Sequence, residues 1–166
     1  MLHEPDYRKR FANDLSKDIP RIPMAEDFHA FATAGAQLAA IHLGHETGPE
    51  YPLKVVCTPP GTSDPAHYRL GHKAMKYAYA NAEKSELIIN EHIHLQGIPP
   101  EAHRYEVNGR TPLGWFIDRY KISTDKRSGI LNDPNEWFDD PRDLVTAIRR
   151  IVQVSVKTVG IVEGLR

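Results

Sequence analysis

The sequence predicts an α+β domain with N-terminal helices, a small antiparallel β-sheet in the middle and C-terminal helices. Three observations carry that prediction. Apolar residues recur every three to four positions near both ends of the chain, and they alternate with polar ones between residues 75 and 107. A stretch dense in Pro and Gly separates the first helical part from the alternating one. With 166 residues the chain fits a single domain, residues 1–166, able to bury roughly 70% of the surface its unfolded form exposes.

In the first segment, "EPDYRKRFANDLSKDIPRIP", Pro5 suits a first helical position, and Glu4 and Asp6 lie at the positive end of the helix dipole. Tyr7, Phe11 and Leu15 form one stripe, and Pro20 and Pro23 end the helix. From Met24 to about His42, helical spacing links Phe28, Phe31, Ala32, Gly35, Leu38, Ala39 and His42, and a high alanine content adds propensity. Residues 45–73 are broken by Pro49, Pro52, Pro59, Pro60 and Pro65, which leaves an irregular excursion over the surface with a short strand at Leu53 to Cys57.

The period then changes to two. Met75, Tyr77 and Tyr79 alternate along one strand, "NAEKS" turns the chain, and Leu87, Ile89, Ile93 and Leu95 line one face of a second strand. That strand places Asn90, His92, His94 and Gln96 together on its polar face. Tyr105 and Val107 form a short third strand that ends at the turn dipeptide Asn108-Gly109. Thr111-Pro112 opens a helix, Thr as the cap and Pro112 at the position that needs no N–H partner, with Leu113, Phe116, Ile117 and Tyr120 as its apolar face. Residues 143–164 are ambiguous on periodicity: "VQVSVKTV" alternates like a strand, while Leu144, Ile148, Ile151, Val152, Ser155, Val159 and Val162 fit a helical stripe. Length favours the helix.

Charge excludes little and directs attention to local patches. Lys and Arg number 21 against 22 Asp and Glu, a net charge of −1, so no global field attracts nucleic acid or a membrane surface. The lone Cys57 rules out an intramolecular disulfide and any Cys-rich zinc site, which suits a reducing compartment. "MLHEPDYRKRF" contains no apolar run of signal-peptide or membrane-spanning length, so a cytoplasmic location is expected.

The sequence offers no catalytic centre. His42 and His45 sit close to Glu46 but lack the His-Glu-x-x-His order, and Gly44 would end the helix between them. His92 and His94 have no evident third metal ligand, and Cys57 has no helix N-terminus beside it to lower its pKa. No Gly-rich phosphate loop follows a strand and opens a helix, and no Asn-Pro-Pro-aromatic or Asp-Pro-Pro-aromatic methyltransferase motif occurs. No metal and no cofactor are expected for this chain.

Three basic clusters remain: Arg8, Lys9, Arg10, Lys17 and Arg21; Arg69, His72, Lys73 and Lys76; and Arg119, Lys121, Lys126 and Arg127. Each could neutralise phosphates, and the strip Asn90, His92, His94 and Gln96 offers donors and acceptors suited to base edges. The plainer alternative for every cluster is a solvated face. Within "TDKRSGILNDPNEW", Asp125, Asn132 and Asp133 can hold the loop by side-chain to backbone bonds, Gly129 and Pro134 shape it, and Trp137 can anchor it. That leaves Lys126, Arg127 and Ser128 exposed on a stiff turn, aimed at phosphate or a base edge. The alternative is a loop that only joins two helices.

The blocks "YRKRFANDLSKDIPRIP", "DFHAFATAGAQLAAIHLGHE", "YEVNGRTPLGWFIDRY", "TDKRSGILNDPNEW" and "IVQVSVKTVGIVEGL", in that order, resemble the C-terminal specificity (target recognition) domain of type ISP restriction-modification enzymes. The resemblance spans nearly the whole chain, and residues 1–23 resemble the junction that follows the methyltransferase. It implies that residues 143–164 are helical. In such enzymes one polypeptide carries a nuclease, a helicase-like ATPase motor, an adenine-N6 methyltransferase and, last, this domain. The resemblance therefore implies a non-catalytic module that binds duplex DNA at an asymmetric site, with methyltransferase and helicase-nuclease domains as partners in cis or in trans. S-adenosylmethionine and ATP with Mg are implied only for the parent enzyme. The chain begins at Met1 where a methyltransferase should already have ended, which implies separately encoded partners, an excised piece or a gene remnant. Gly114 and Gly44-His45 depart from the better helix formers and polar pair expected at those places. The rival reading is a protein-docking module, or a gene remnant, without DNA binding of its own.

Overall fold

The computed structural model describes residues 5–17, 25–78 and 84–165. The expected stops at Pro20 and Pro23, the helix start at Met24, Tyr79 and most of the "NAEKS" turn lie outside them. The architecture is α+β, as the sequence predicts. Helix α1 (Pro5–Arg10) is followed by the single turn α2 (Ala12–Leu15), α3 (Phe28–Leu43) and strand β1 (Lys54–Cys57). The middle holds β2 (Lys76–Tyr77), β3 (Glu86–Ile88) and β4 (Ile93–Gln96). The C-terminal part consists of α4 (Pro112–Arg119), the ribbon β5 (Ser123–Thr124) and β6 (Leu131–Asn132), and α5 (Asp143–Glu163).

Helix α5 is the element the others pack around. Leu144, Val145, Ile148 and Val152 join Leu87, Ile89, Ile93 and Leu95 of the sheet region and Leu113 and Phe116 of α4 in one core. Helices α3 and α4 and the 3-10 turn Pro100–His103 all contact α5. The helical stripe thus prevails over the strand-like alternation of residues 152–159, because only a helix brings Ile148, Val152, Ser155, Val159 and Val162 to one side. Ser155 fits within that side because its hydroxyl donates to the Ile151 carbonyl at 2.9 Å. Two arginines of α5 strap the irregular segment down. The Arg149 guanidinium donates to the Leu53 carbonyl at 2.8 Å, and that of Arg150 donates to the carbonyls of Glu46 and Gly48.

Four strands form an antiparallel sheet in the order β1-β4-β3-β2. The expected single strand over Leu87 to Gln96 is instead a hairpin. Asn90, Glu91 and His92 form its loop, closed by the Ile89 N–H donating to the Ile93 carbonyl at 3.0 Å. Tyr105 and Val107 do not form a strand either. Val107 makes an isolated bridge to Arg110 around the Asn108-Gly109 turn, where φ is 53° and 73°. Helix α1 breaks at Phe11, so only Tyr7 of the first stripe is fully buried. On α3 the buried residues are Ala34 and Leu38, and Phe28, placed on the stripe by its spacing, is 70% exposed.

The Thr111 cap lies where the sequence puts it, while α3 is capped by Asp27, whose carboxylate accepts from the Ala30 N–H at 2.9 Å. Thr111 accepts from the Gly114 N–H at 3.0 Å, and a Cβ on Gly114 would stand 3.0 Å from the Arg110 side chain and 3.1 Å from the Thr111 hydroxyl, a tight but not forbidden fit. His103, half-buried at the end of the Pro100–His103 turn, donates to the Lys84 carbonyl at 3.0 Å and meets the Tyr77 ring edge-on. Desolvation holds its pKa below the usual histidine value. The unfolded chain therefore binds the proton more readily, so this stability is present above about pH 6.5 and is lost as pH falls through the folded value. An NMR titration should place the His103 ring below an exposed histidine, and His103→Gln should weaken the acid dependence of the unfolding midpoint. A titration at or above the ordinary value would contradict this.

Candidate nucleic-acid interface

Residues paired across an antiparallel ladder point to the same side, and neighbours along a strand point to opposite sides. Val55, Leu95, Leu87 and Tyr77 therefore share the inner face, against the core. The outer face carries Val56, His94, Ile88 and Lys76 in one row and Lys54, Gln96 and Glu86 in the next. Lys76 and His94, widely separated in sequence, are thus brought together, and register adds Lys54, which sequence reasoning did not single out. His94 donates from Nδ1 to the Glu86 carboxylate at 2.9 Å.

The rest of the expected polar strip is taken up elsewhere. Asn90 serves the hairpin loop: its Oδ1 accepts from the N–H groups of His92 and Ile93 at 2.7 and 2.8 Å, and its Nδ2 donates to the carbonyls of His67 and Arg69. His92 donates from Nδ1 to the Thr58 carbonyl at 2.9 Å and packs its ring on His67 with centroids 4.5 Å apart. Lys73 is exposed, outside the strands, and like Lys76 has no ion-pair partner among the described residues.

The second site is the β5–β6 ribbon, in which every residue from 123 to 131 is exposed. Its loop is braced by one carboxylate. Asp125 Oδ1 accepts from the Ser128 N–H at 2.7 Å, the Ser128 hydroxyl at 2.8 Å and the Arg127 N–H at 3.0 Å. These bonds, with the Ser128 N–H foremost, hold the Asp125 carboxyl below the usual carboxylate range. Gly129 closes the loop at φ 71°, a conformation that other residues adopt at a cost, and donates to the Asp125 carbonyl at 2.8 Å. The Ser128 hydroxyl thus braces the loop, while Ser128 itself is exposed with its neighbours, as the sequence predicts. Lys126 and Arg127 are left at the tip with no ion-pair partner among the described residues.

At its base the ribbon is fixed to the core. Asn132 donates to the Lys121 carbonyl at 3.1 Å, Asp133 caps the 3-10 turn Pro134–Glu136, and Pro134 is buried. Trp137 meets Tyr120 edge-on at 5.1 Å, and Tyr120 stacks on Phe116 at 3.9 Å, so the expected anchor runs through Tyr120 into the core. Asn135 adds a clasp: its amide accepts from the Leu70 N–H and donates to the Leu70 carbonyl at 2.7 and 3.0 Å. The other two cations of this cluster are partnered. The Arg119 guanidinium lies over the Trp137 ring at 5.5 Å, and Lys121 donates to Asp118 at 2.7 Å. That Lys121 bond, helped by Arg110, holds the Asp118 carboxyl low.

His42 and His45 both turn a ring nitrogen to backbone carbonyls, of Leu38 and His42, and not toward each other. Cys57 lies 3.8 Å from the Tyr68 hydroxyl. Among the described residues no group of three or more His, Cys, Asp or Glu is placed to hold a metal ion, and no helix is long and apolar enough to cross a membrane.

Comparison with known proteins gives this geometry a context. The family model described as the Type ISP C-terminal specificity domain matches residues 1–147. Among solved structures, a nuclease-deletion mutant of the Type ISP restriction-modification enzyme LlaGI, in complex with a DNA substrate mimic, is 37% identical with a TM-score of 0.85. That match covers 99% of this chain and 13% of the other. The ATP-dependent Type ISP restriction-modification enzyme LlaBIII bound to DNA is 32% identical with a TM-score of 0.85, over 99% of this chain and 10% of that one. The chain in a DrdV–DNA complex is 30% identical with a TM-score of 0.78, over 99% of this chain and 17% of that one. The comparison with curated proteins gives no match. This chain thus spans 10% to 17% of the length of those three proteins. With the family model matched over residues 1–147 and the fold shared end to end, the chain belongs to the type ISP C-terminal specificity domain family.

Proposed function

We propose that this chain is a DNA target recognition module, which selects an asymmetric duplex site for adenine-N6 methylation or restriction by other domains or chains. It contributes no catalysis itself, and S-adenosylmethionine, ATP and Mg serve the catalytic domains. Its partners are duplex DNA and, in cis or in trans, methyltransferase and helicase-nuclease domains, working in the cytoplasm. The observation that carries this reading is the ribbon loop, where Lys126 and Arg127 have no ion-pair partner among the described residues and stand on a turn braced by Asp125, in a chain whose relatives were solved with DNA. A turn held rigid before binding loses little conformational entropy on contact. Lys76, His94, Lys54 and Gln96 on the outer sheet face form a second candidate surface, with Lys73 nearby in sequence. Arg119 and Lys121 contribute charge at the ribbon's base.

Selection of the purified chain against a random duplex library at two salt concentrations tests this. An enriched asymmetric motif that survives the higher salt supports it. If Lys126 and Arg127 contact phosphates, Lys126→Ala and Arg127→Ala should each reduce the slope of log affinity against log salt by about 1. Unchanged slopes in both would make the loop scaffold. A docking module is favoured by the apolar hollow of ≈ 460 Å³ walled by Tyr105, Trp115, Phe116, Tyr120 and Ile151. Stable co-purification with a methyltransferase or motor subunit, without salt-sensitive duplex binding, would establish that reading instead.

A further inference from the structure

The ribbon carries an unexplained apolar pair. Ile130 is 68% and Leu131 60% exposed, immediately after the braced loop. Leu131 pairs with Thr124 in the ladder, so Ile130 and Leu131, as neighbours along the strand, point to opposite sides of the ribbon. Neither belongs to the core or to the partly buried shell around it. A two-residue ladder is shorter than a typical strand and gains little from its own pairing. It is held by the Asp125 brace at one end and by Asn132, Asp133 and Pro134 at the other, so the exposed pair sits on a fixed support.

We propose that whichever of Ile130 and Leu131 lies on the side of the ribbon turned to DNA reads thymine by contact with its C5-methyl group in the major groove. The inference rests on the DNA-recognition reading above. Charge and apolar surface occur within a few residues of each other: Lys126 and Arg127 are exposed at the tip, where they can meet phosphates, and the exposed Ile130 and Leu131 follow directly. The major groove, about 12 Å wide, admits a two-stranded ribbon, and it is where the thymine methyl is displayed. On the floor of the major groove the thymine methyl is the one apolar group among the base edges, and side chains without donors or acceptors can select for it. The residue turned to DNA would thus favour thymine at the position it faces.

The test uses the motif enriched by the library selection, resynthesised with deoxyuridine in place of each thymine in turn, which removes the methyl and keeps the base pair. The expected result is a roughly fourfold loss of affinity at one or two positions, the effect of one methyl-sized apolar contact. Ile130→Ala or Leu131→Ala should bind the thymine duplex more weakly and become indifferent to uracil at that position. Both side chains are exposed, so neither variant should lose its fold. Wild-type indifference to uracil at every position overturns the inference, as does retained sensitivity in both variants. Retention on duplex without any motif also overturns it while leaving phosphate contact standing. No retention at all removes the DNA-recognition reading itself.

Discussion

Ile148→Ala is expected to destabilise the fold by about 2–5 kcal/mol, the range for truncating a fully buried aliphatic side chain. Ile148 is fully buried at the middle of the α5 stripe, in the same core as Leu87, Ile93 and Leu95 of the sheet and Phe116 of α4. Three elements would line the cavity, and each is held by its own hydrogen bonds, so the site can collapse only partly. For a domain of this size, a loss near the middle of that range lowers the thermal midpoint by about 7–14 °C. Urea unfolding should show a lower midpoint with an unchanged m-value. Ile130→Ala, on the exposed ribbon, provides the contrast and should stay within about 0.5 kcal/mol of wild type. A loss below about 1 kcal/mol for Ile148→Ala would mean that α5 does not wall the core as described.

That helix was legible only in part: its stripe is local information, but the strand-like alternation of "VQVSVKTV" ran against it, and length and the family resemblance decided. Leu144, Ile148, Val152, Val159 and Val162 need no partner named in advance to define a face. The Thr111 cap and the Asp125–Gly129 brace were legible for the same reason, since each bond closes within a few residues. The hairpin was not. Leu87, Ile89, Ile93 and Leu95 are all buried, and the loop between Ile89 and Ile93 has an odd number of residues, so the alternation runs through the turn without a break in phase. No Gly or Pro marks that loop, and the polar residues that looked like a ligand-facing strip were partly the material of the turn.

Long-range roles were equally hidden. Asn135 looks like one more polar residue in a charged loop, yet its amide clasps the backbone of Leu70, 65 residues away. Arg149 and Arg150 read as the polar side of a helix and in fact strap residues 46–53 to it. In the candidate interface, sequence placed Lys126, Arg127 and Ser128 on an exposed turn, and so they stand, but it missed the second part that Ser128 plays. It could not know that the Ser128 hydroxyl donates to Asp125. The exposure of Ile130 and Leu131 was also invisible, because an apolar pair after a glycine turn ordinarily returns to the core.

Asn90→Ala is expected to cost about 2–4 kcal/mol, from four hydrogen bonds each worth about 0.5–1.5 kcal/mol net, less whatever water restores. The Asn90 amide stands between two N–H groups, of His92 and Ile93, and two carbonyls, of His67 and Arg69, which together fix its orientation. It closes the β3–β4 loop and also ties that loop to the 3-10 turn Pro65–Tyr68. Asn90→Asp separates the two halves of the role: it keeps the acceptor for His92 and Ile93 but sets a carboxylate against two carbonyl oxygens. Asn90→Asp should therefore be no more stable than Asn90→Ala, whereas an asparagine that only held the hairpin loop would be replaced by Asp with little loss. Chemical denaturation of both variants distinguishes these outcomes. A library selection with Asn90→Ala at a temperature where it remains folded settles the residue's other expected role. An unchanged motif makes Asn90 scaffold, and a preference relaxed at one position makes it a base contact reached from the loop.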